Sequence, residues 1–456
     1  MQRREFLGVT AKLALTAAAS RLVSPALGEQ ARPISLAAVG DCLITRGFVR
    51  NDPRLQPILS ILRGADVSFG NFEMTLPDPD MYPAGTGACG DLNNSAEGPM
   101  PEELSWAGIK MVGLANNHAL DYGIPGMFKT ADKVGAAGLV HAGTGRNLQD
   151  ARAPAFYDSP AGRTALIACA STIRQGSNAT PGNGEIPGRP GLNPLRVTTT
   201  YRIGASQIEA LQGIQKDLGL GGRRGLVDAP KTEGINFMGD HFVPGTPPDV
   251  ITAPNQQDLL GISASIRRAR RNADLVVVGI HAHEAHGERD LPATFLPEFA
   301  HACIDAGANA FIGHGPHVLR GIEIYKGKPI FYSLGNFIFT AESMRQIPQE
   351  LYDTCGIKGQ FDDPSDFFDR AMKGFSDAAY WQSVVAEATF VKGDLHELKL
   401  YPITLQRDLP RAQRGMPVRA DAAESKMILD QLAKLCQPFG TTLIREGDVG
   451  VIRPLS

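Results

Sequence analysis

No CxxC pair occurs anywhere in this 456-residue chain. That absence argues against a thiolate zinc knuckle. The six cysteines are scattered, at Cys42, Cys89, Cys169, Cys303, Cys355 and Cys436. Cys169 in "TALIACA" and Cys303 in "FAHACIDAGA" sit in apolar surroundings and read as core residues rather than bridges. Spacing does not decide how the others pair. An excess of positive charge is also missing. The formal net charge is −3 at pH 7, so no basic field is available to hold nucleic acid. No stretch reads as a stable membrane span, because the apolar N-terminal segment is too short and too weakly apolar.

What is present suits a globular protein with a large core: 43% of residues are hydrophobic and 20% charged. The length predicts two or three domains. Fifty glycines and 32 prolines predict many turns and long loops. The first residues, "MQRREFLGVTAKLALTAAASRLVSPALGEQ", carry Arg3 and Arg4 ahead of Phe6, Leu7 and an apolar stretch. Residues 1–28 resemble a twin-arginine export signal, with Ala26 and Gly28 suiting cleavage before Glu29. The bland alternative is a frayed amphipathic helix. The signal reading implies an exported protein of the periplasm or cell envelope, by a route that carries proteins already folded around their cofactors.

Short apolar runs ending in turn residues recur along the chain and predict buried strands. They are "ISLAAVGD", "ADVSFGNFE", "IKMVGLANNH", "TALIACA", "ADLVVVGIHAH", "ANAFIGH" and "KPIFYSLGNF". Helical spacing lies between several of them. Phe295, Leu296, Phe299, Cys303 and Ile304 share one face, and Leu259, Ile262 and Ile266 share another. Alternation of strands and helices predicts a layered α/β core, and hairpins at Pro160–Gly162 and Lys326–Lys328 make the sheets mixed. Residues 34–345 form this core. Residues 175–250 read as a Gly- and Pro-rich excursion with one short helix near 205–217. Residues 346–456 read as a C-terminal extension, with a strand pair, a helix and a terminal hairpin, that covers the core sheet. The run "RRARR" reads as the cationic end of a helix rather than a polyanion patch.

Five strand-like runs end in metal-binding residue types. They supply Asp41; Glu73; Asn116, Asn117 and His118; His281 and His283; and His314 and His317. Taken singly, each has a dull reading as a turn former, helix-entry residue or rim histidine. Jointly they predict a site where strand ends meet along one edge of a sheet. Carboxylate, amide and imidazole donors without thiolate suit Zn, Mn, Fe or Co at a hydrolytic centre. Two divalent ions partly offset by Asp41 and Glu73 would leave a positive centre that attracts an anionic substrate.

The segments "AAVGDCLITRG", "GNFEMTL", "ANNHALDYG", "GIHAH", "IDAGANAFIGHGPHVLRGIEIYKGKPIFYSLGNFIF" and "GDVGVIR", in this order, resemble the CapA family of bacterial poly-γ-glutamate capsule and synthesis proteins. That family is related to calcineurin-like metallophosphoesterases. The resemblance implies a four-layer α/β/β/α sandwich with mixed sheets. It implies two divalent metal ions, with Asp41 and His317 on the first, Asn117, His281 and His314 on the second, and Glu73 bridging them. His118 would be the catalytic acid or phosphate-contacting residue. Asn116, His283 and Glu284 would support the ligands or touch substrate, and Asn336 belongs to the matched motif without an assigned chemistry. Two departures stand out: Cys42 and Leu43 follow Asp41 where an Asp-x-His motif is usual, and the usual HWG reads His281-Ala282-His283. The implied activity is hydrolysis of a phosphoester or amide in an anionic substrate or polymer. The alternative is a non-catalytic subunit that binds poly-γ-glutamate within a synthesis or export complex.

Overall fold

The run "ISLAAVGDCL" forms the strand Ile34–Leu43, buried along nearly its whole length. In such a strand alternate side chains enter different cores. Leu36 and Ala38 face the inside of a two-sheet sandwich, and Ala37 and Val39 face an outer helical layer. The chain is seen here in a computed structural model that describes residues 32–85, 92–220, 233–358, 364–371 and 373–454. The expected export segment, residues 1–28, lies outside the described residues.

The first sheet has the order Ile444–Glu446, Val449–Ile452, Asp394–Thr404, Gln382–Val391, Ile34–Leu43, Val67–Phe72, Met111–Gly113, Val140–Ala142. The last four of these run parallel to one another, and Asn336–Phe339 also pairs in parallel with Ile34–Leu43. The second sheet has the order Ile322–Tyr325, Lys328–Phe331, Ala310–His314, Leu275–His281, Gly162–Ala170, Ala155–Ser159. Its central strands are parallel, and both edges are antiparallel hairpins. The sheets are therefore mixed, as expected.

Between the sheets lie Leu36, Phe69 and Met111 from one side and Leu166, Val277 and Ile312 from the other. Helices Gln56–Gly64, Met100–Ala107 and Gly123–Ala136 cover the outer face of the first sheet through Ile58, Leu62, Leu104 and Val134. Helices Gln256–Arg270 and Phe295–Asp305 cover the second through Ile262, Ile266, Phe299 and Cys303. The result is the four-layer α/β/β/α sandwich. Cys169 and Cys303 are buried and free, and Cys355 is disulfide-bonded.

The C-terminal strands enter the first sheet itself, since Gln382–Val391 pairs antiparallel with Ile34–Leu43. Helix Ala422–Cys436 closes one end of the interior with Ile428, Leu429 and Leu432. The stretch read as an excursion differs from expectation. It contains a four-stranded sheet of Ile235–Phe237, Asp240–Pro244, Val197–Ile203 and Asp249–Pro254, besides helix Ala205–Asp217. Its strands are largely half-exposed, so no apolar alternation marks them.

Candidate metal centre

Parallel strands end together, so both sheets deliver their C-terminal residues to one edge. In the first sheet Asp41 stands in register between Asn336 and Asn71. In the second, His281 stands in register with His314. These two rows face each other. Glu73 follows Val67–Phe72 directly, and His118 sits in the turn after Met111–Gly113.

The gathering is tight. His314 Nδ1 lies 3.6 Å from Asp41 Oδ1, and His281 Nδ1 lies 3.7 Å from the same oxygen. His317 Nδ1 is 3.3 Å from Asp41 Oδ2, and its Nε2 is 3.8 Å from Glu73 Oε1. His281 Nε2 reaches that Glu73 oxygen at 3.5 Å and His118 Nε2 at 3.8 Å. Three sets of ligand atoms each lie within 4.8 Å of one another: Asp41, His281 and His314; Glu73, His281 and His283; and Asp41, Glu73 and His317. His314 thus sits with Asp41, although the resemblance placed those two on different ions. His283, expected in a supporting role, stands among the donors.

Local backbone chemistry makes the convergence possible. Gly315 at φ 116° and His317 at φ 60° turn the chain so that His314 and His317 look back on one point. The left-handed conformation of His317 is uncommon for a residue with a side chain, and such strain concentrates at functional sites. The Gly315 N–H donates to Asp41 Oδ2 at 2.9 Å, which anchors the turn to the opposite sheet.

The remaining candidates divide. Asn116 Nδ2 donates to the Phe72 carbonyl at 2.9 Å and to Asn71 Oδ1 at 3.2 Å, bracing two strand ends. Asn117 Nδ2 lies 3.2 Å from His118 Nε2, and its buried Oδ1 has no hydrogen-bond partner. Asn336 Oδ1 lies 2.9 Å from His317 Nδ1 and orients that ring. Glu284 turns away from the cluster, accepting from Ser171 Oγ at 2.8 Å and Thr172 Oγ1 at 3.1 Å.

Two residues with direct roles in the geometry went unrecognised in the sequence. Asn71 Nδ2 donates to Asp41 Oδ1 at 2.8 Å and lies 3.4 Å from Glu73 Oε2. The signal was its position two before Glu73, on the same side of the strand. Asp121 Oδ2 lies 2.7 Å from His118 Nδ1, and its other oxygen lies 3.2 Å from Arg174 Nη1. The His-x-x-Asp spacing in "NNHALDYG" was the available clue.

Burial sets the charge states. It pushes His281 well below the ordinary imidazole range, His283 down to about 3 and His314 down to about 4. These rings are held neutral, the form that ligates metal. Burial and the field of Asp41 push Glu73 well above the carboxylate range. Burial also opposes ionisation of Asp41, but the His317 hydrogen bond and the fields of His317, His281 and His314 outweigh it and hold the group low. Two carboxylates packed so closely repel each other until a cation stands between them. Glu73 Oε1 and His314 Nε2 are buried without a hydrogen-bond partner. Divalent ions of the Zn, Mn, Fe or Co type fit this donor set.

A cavity of about 350 Å³ opens beside the cluster, with Asn117, His118, His283 and His317 in its wall. Fold and cluster together define a layered α/β protein with a carboxylate–imidazole centre at the strand-end edge. The chain belongs to the family described as bacterial capsule synthesis protein PGA_cap, which it matches over residues 35–341. It is 34% identical over 434 residues to the uncharacterized protein y4uA of Sinorhizobium fredii, covering 92% of this chain and 93% of that one. It is 26% identical to the capsule biosynthesis protein CapA of Bacillus anthracis, covering 70% of this chain and 62% of that one. A novel phosphatase from Mycoplasma pneumoniae is a distant structural neighbour, with TM-score 0.37 and 11% identity over 82% of this chain and 94% of that one.

Proposed function

We propose that this chain is an exported, metal-dependent hydrolase acting on an anionic substrate in poly-γ-glutamate capsule assembly. One observation carries the reading. Glu73 Oε1, buried and without a hydrogen-bond partner, is faced by ring nitrogens of His281, His317 and His118 at 3.5, 3.8 and 3.8 Å. That arrangement is costly by itself and favourable around cations. Asp41, Glu73, Asn117, His281, His283, His314 and His317 would hold the ions, and Asn71, Asn116 and Asn336 would fix their orientation. Bound there, divalent ions supply Lewis acidity and a nucleophile at neutral pH.

The chain's own groups do the rest. Asp121 holds His118 through Nδ1, which leaves Nε2 directed at the centre as the proton donor for a leaving group. Arg174 pairs with the far oxygen of Asp121 and keeps that carboxylate in place. The capsule-synthesis family and the resemblance to CapA proteins support the link to poly-γ-glutamate, and the twin-arginine-like segment supports delivery of a metal-loaded protein to the periplasm or cell envelope. A synthesis or export complex would be its setting.

A second reading has its own support. Leu43 stands where the Asp-x-His motif of the related enzymes carries histidine, and it is buried and apolar, so it offers no donor to an ion. A chain with that change could bind the polymer without cleaving it. Elemental analysis of protein purified without chelators, with turnover of a phosphate ester and of poly-γ-glutamate, separates the two. Two bound ions and turnover lost in His118→Ala support the hydrolase. A metal-free, inert protein that still captures the polymer overturns it.

A further inference from the structure

Arg320 is fully buried, yet it forms part of the wall of the cavity beside the cluster. Its Nε donates to the Arg289 carbonyl at 2.9 Å and its Nη2 to the His283 carbonyl at 3.2 Å. These two bonds fix the plane of the guanidinium. Nη1 is buried and has no partner. Among the described residues no carboxylate forms an ion pair with this group. The acids whose fields it feels are Glu284 and Asp290. Glu284 bonds to Ser171 and Thr172, and Asp290 pairs with Arg289 at 3.3 Å. A guanidinium keeps its charge at neutral pH even when buried.

A buried, unpaired cation is costly to a fold and is retained where something answers it. The other arginine of the same wall shows the contrast. Arg289 is already met by Asp377 at 2.6 Å and lies over the Tyr380 ring at 5.1 Å. Arg320 differs in having no carboxylate partner among the described residues and a buried Nη1 without a hydrogen bond. The cavity wall joins the polar groups of the centre and Asn94 to an apolar part made by Leu43, Leu92, Phe339, Phe368 and Phe375. An oxyanion carried on a short methylene chain fits such a lining, with the charge at the guanidinium and the chain against the rings.

We propose that Arg320 is the receptor for a substrate carboxylate distinct from the group that is attacked, such as the free α-carboxylate of a γ-linked glutamyl unit. The inference rests on the reading above only in placing substrate in this cavity. Phosphate shares the oxyanion chemistry and serves as the competing source. Arg320 is a binding and specificity residue here, and His118 keeps the proton transfer.

The test is direct binding to chelator-treated full-length protein, where nothing turns over. The probes are γ-linked triglutamate, its fully amidated neutral analogue, and inorganic phosphate, measured by calorimetry. Wild type is expected to prefer the acid over the amide by about tenfold or more, the worth of one charge-assisted hydrogen bond. Arg320→Gln and Arg320→Met are expected to lose that preference and to bind the amide as wild type does. Equal binding of acid and amide by wild type overturns the proposal without reliance on any variant. Variants that fold by circular dichroism and keep the preference overturn it too. Phosphate binding that depends on Arg320, with triglutamate binding that does not, overturns the carboxylate assignment. An inert protein with Arg320-dependent triglutamate binding sinks the hydrolase and leaves this inference standing.

Discussion

His281 and His283 turn their Nε2 atoms toward each other at 2.8 Å. They are two apart, His281 closing the strand Leu275–His281 and His283 just past it, and both point into the cluster. Sequence left open which of them belongs to it. His281 occupies two of the three donor sets, with Asp41 and with Glu73, and His283 only one. His281→Ala is therefore expected to lower metal affinity more than tenfold, and His283→Ala to do less. Metal titration with a colorimetric chelator reads both. A variant order the other way round would remove His281 from the middle of the centre.

Metal should also stabilise the fold. The donors come from strands of both sheets, so an ion bound among them ties the layers together. A ligand at about a thousand times its Kd adds about 4 kcal/mol of stability. Chelator-treated protein is expected to melt several degrees lower than metal-loaded protein and to recover on adding back Zn or Mn. An unchanged melting temperature at saturating metal would argue that the cluster holds no ion.

The pH dependence of the metal-free protein has a predictable sign. His283 and His314 titrate at about 3 and about 4 in the fold, against 6.5 ordinarily, and His281 is also pushed down. As pH falls from about 6.5 toward 4, the unfolded chain takes up protons that the folded chain refuses. Stability therefore falls on acidification through this window. Glu73 works the other way, because its raised pKa makes the fold hold a proton that the unfolded chain gives up above its ordinary 4.5. Asp121, also raised by burial, acts with Glu73, and His141, also pushed down by burial, acts with the other three rings, so four imidazoles stand against two carboxyls. Urea midpoints at pH 7, 6 and 5 should decrease in that order, and a flat series would contradict it.

Much of this was legible before any coordinates. Asp41, His281 and His314 end short apolar runs, and a parallel sheet brings such ends together. Asn71 escaped because an amide inside a strand carries no chemistry until its partners are known. The sheet built on "VTTTYRI" escaped because its faces are half-exposed and polar, so periodicity fails. Gly40 lies near the end of an apolar run where a turn residue is expected, but the strand runs through it to Leu43. The reason for glycine there is contact, which only packing reveals.

That contact makes a prediction. A Cβ on Gly40 would sit 1.8 Å from the carbonyl oxygen of Gly335. The Asp41 N–H donates to that same oxygen at 2.9 Å. No flexible side chain can move aside, so the backbone of Asp41 must shift. Gly40→Ala is expected to cost about 1–3 kcal/mol and to weaken metal binding together with stability. A variant as stable as wild type, with full metal content, would contradict the close approach of these strands.

His118 and Asp121 offer the sharpest separation of chemistry from structure. Asp121 touches no member of the three donor sets but holds His118 at 2.7 Å. Asp121→Asn keeps the shape and loses the charge that favours the ring's Nδ1 proton. Catalysis by a misoriented or wrongly protonated imidazole falls by about 100-fold or more. The expected result is a fall of that size in kcat for a phosphate ester, with metal content unchanged. Loss of metal with the activity would instead make Asp121 a prop of the centre. Unchanged kcat would remove His118 from the proton transfer, since among the described residues nothing else holds its Nδ1 so closely.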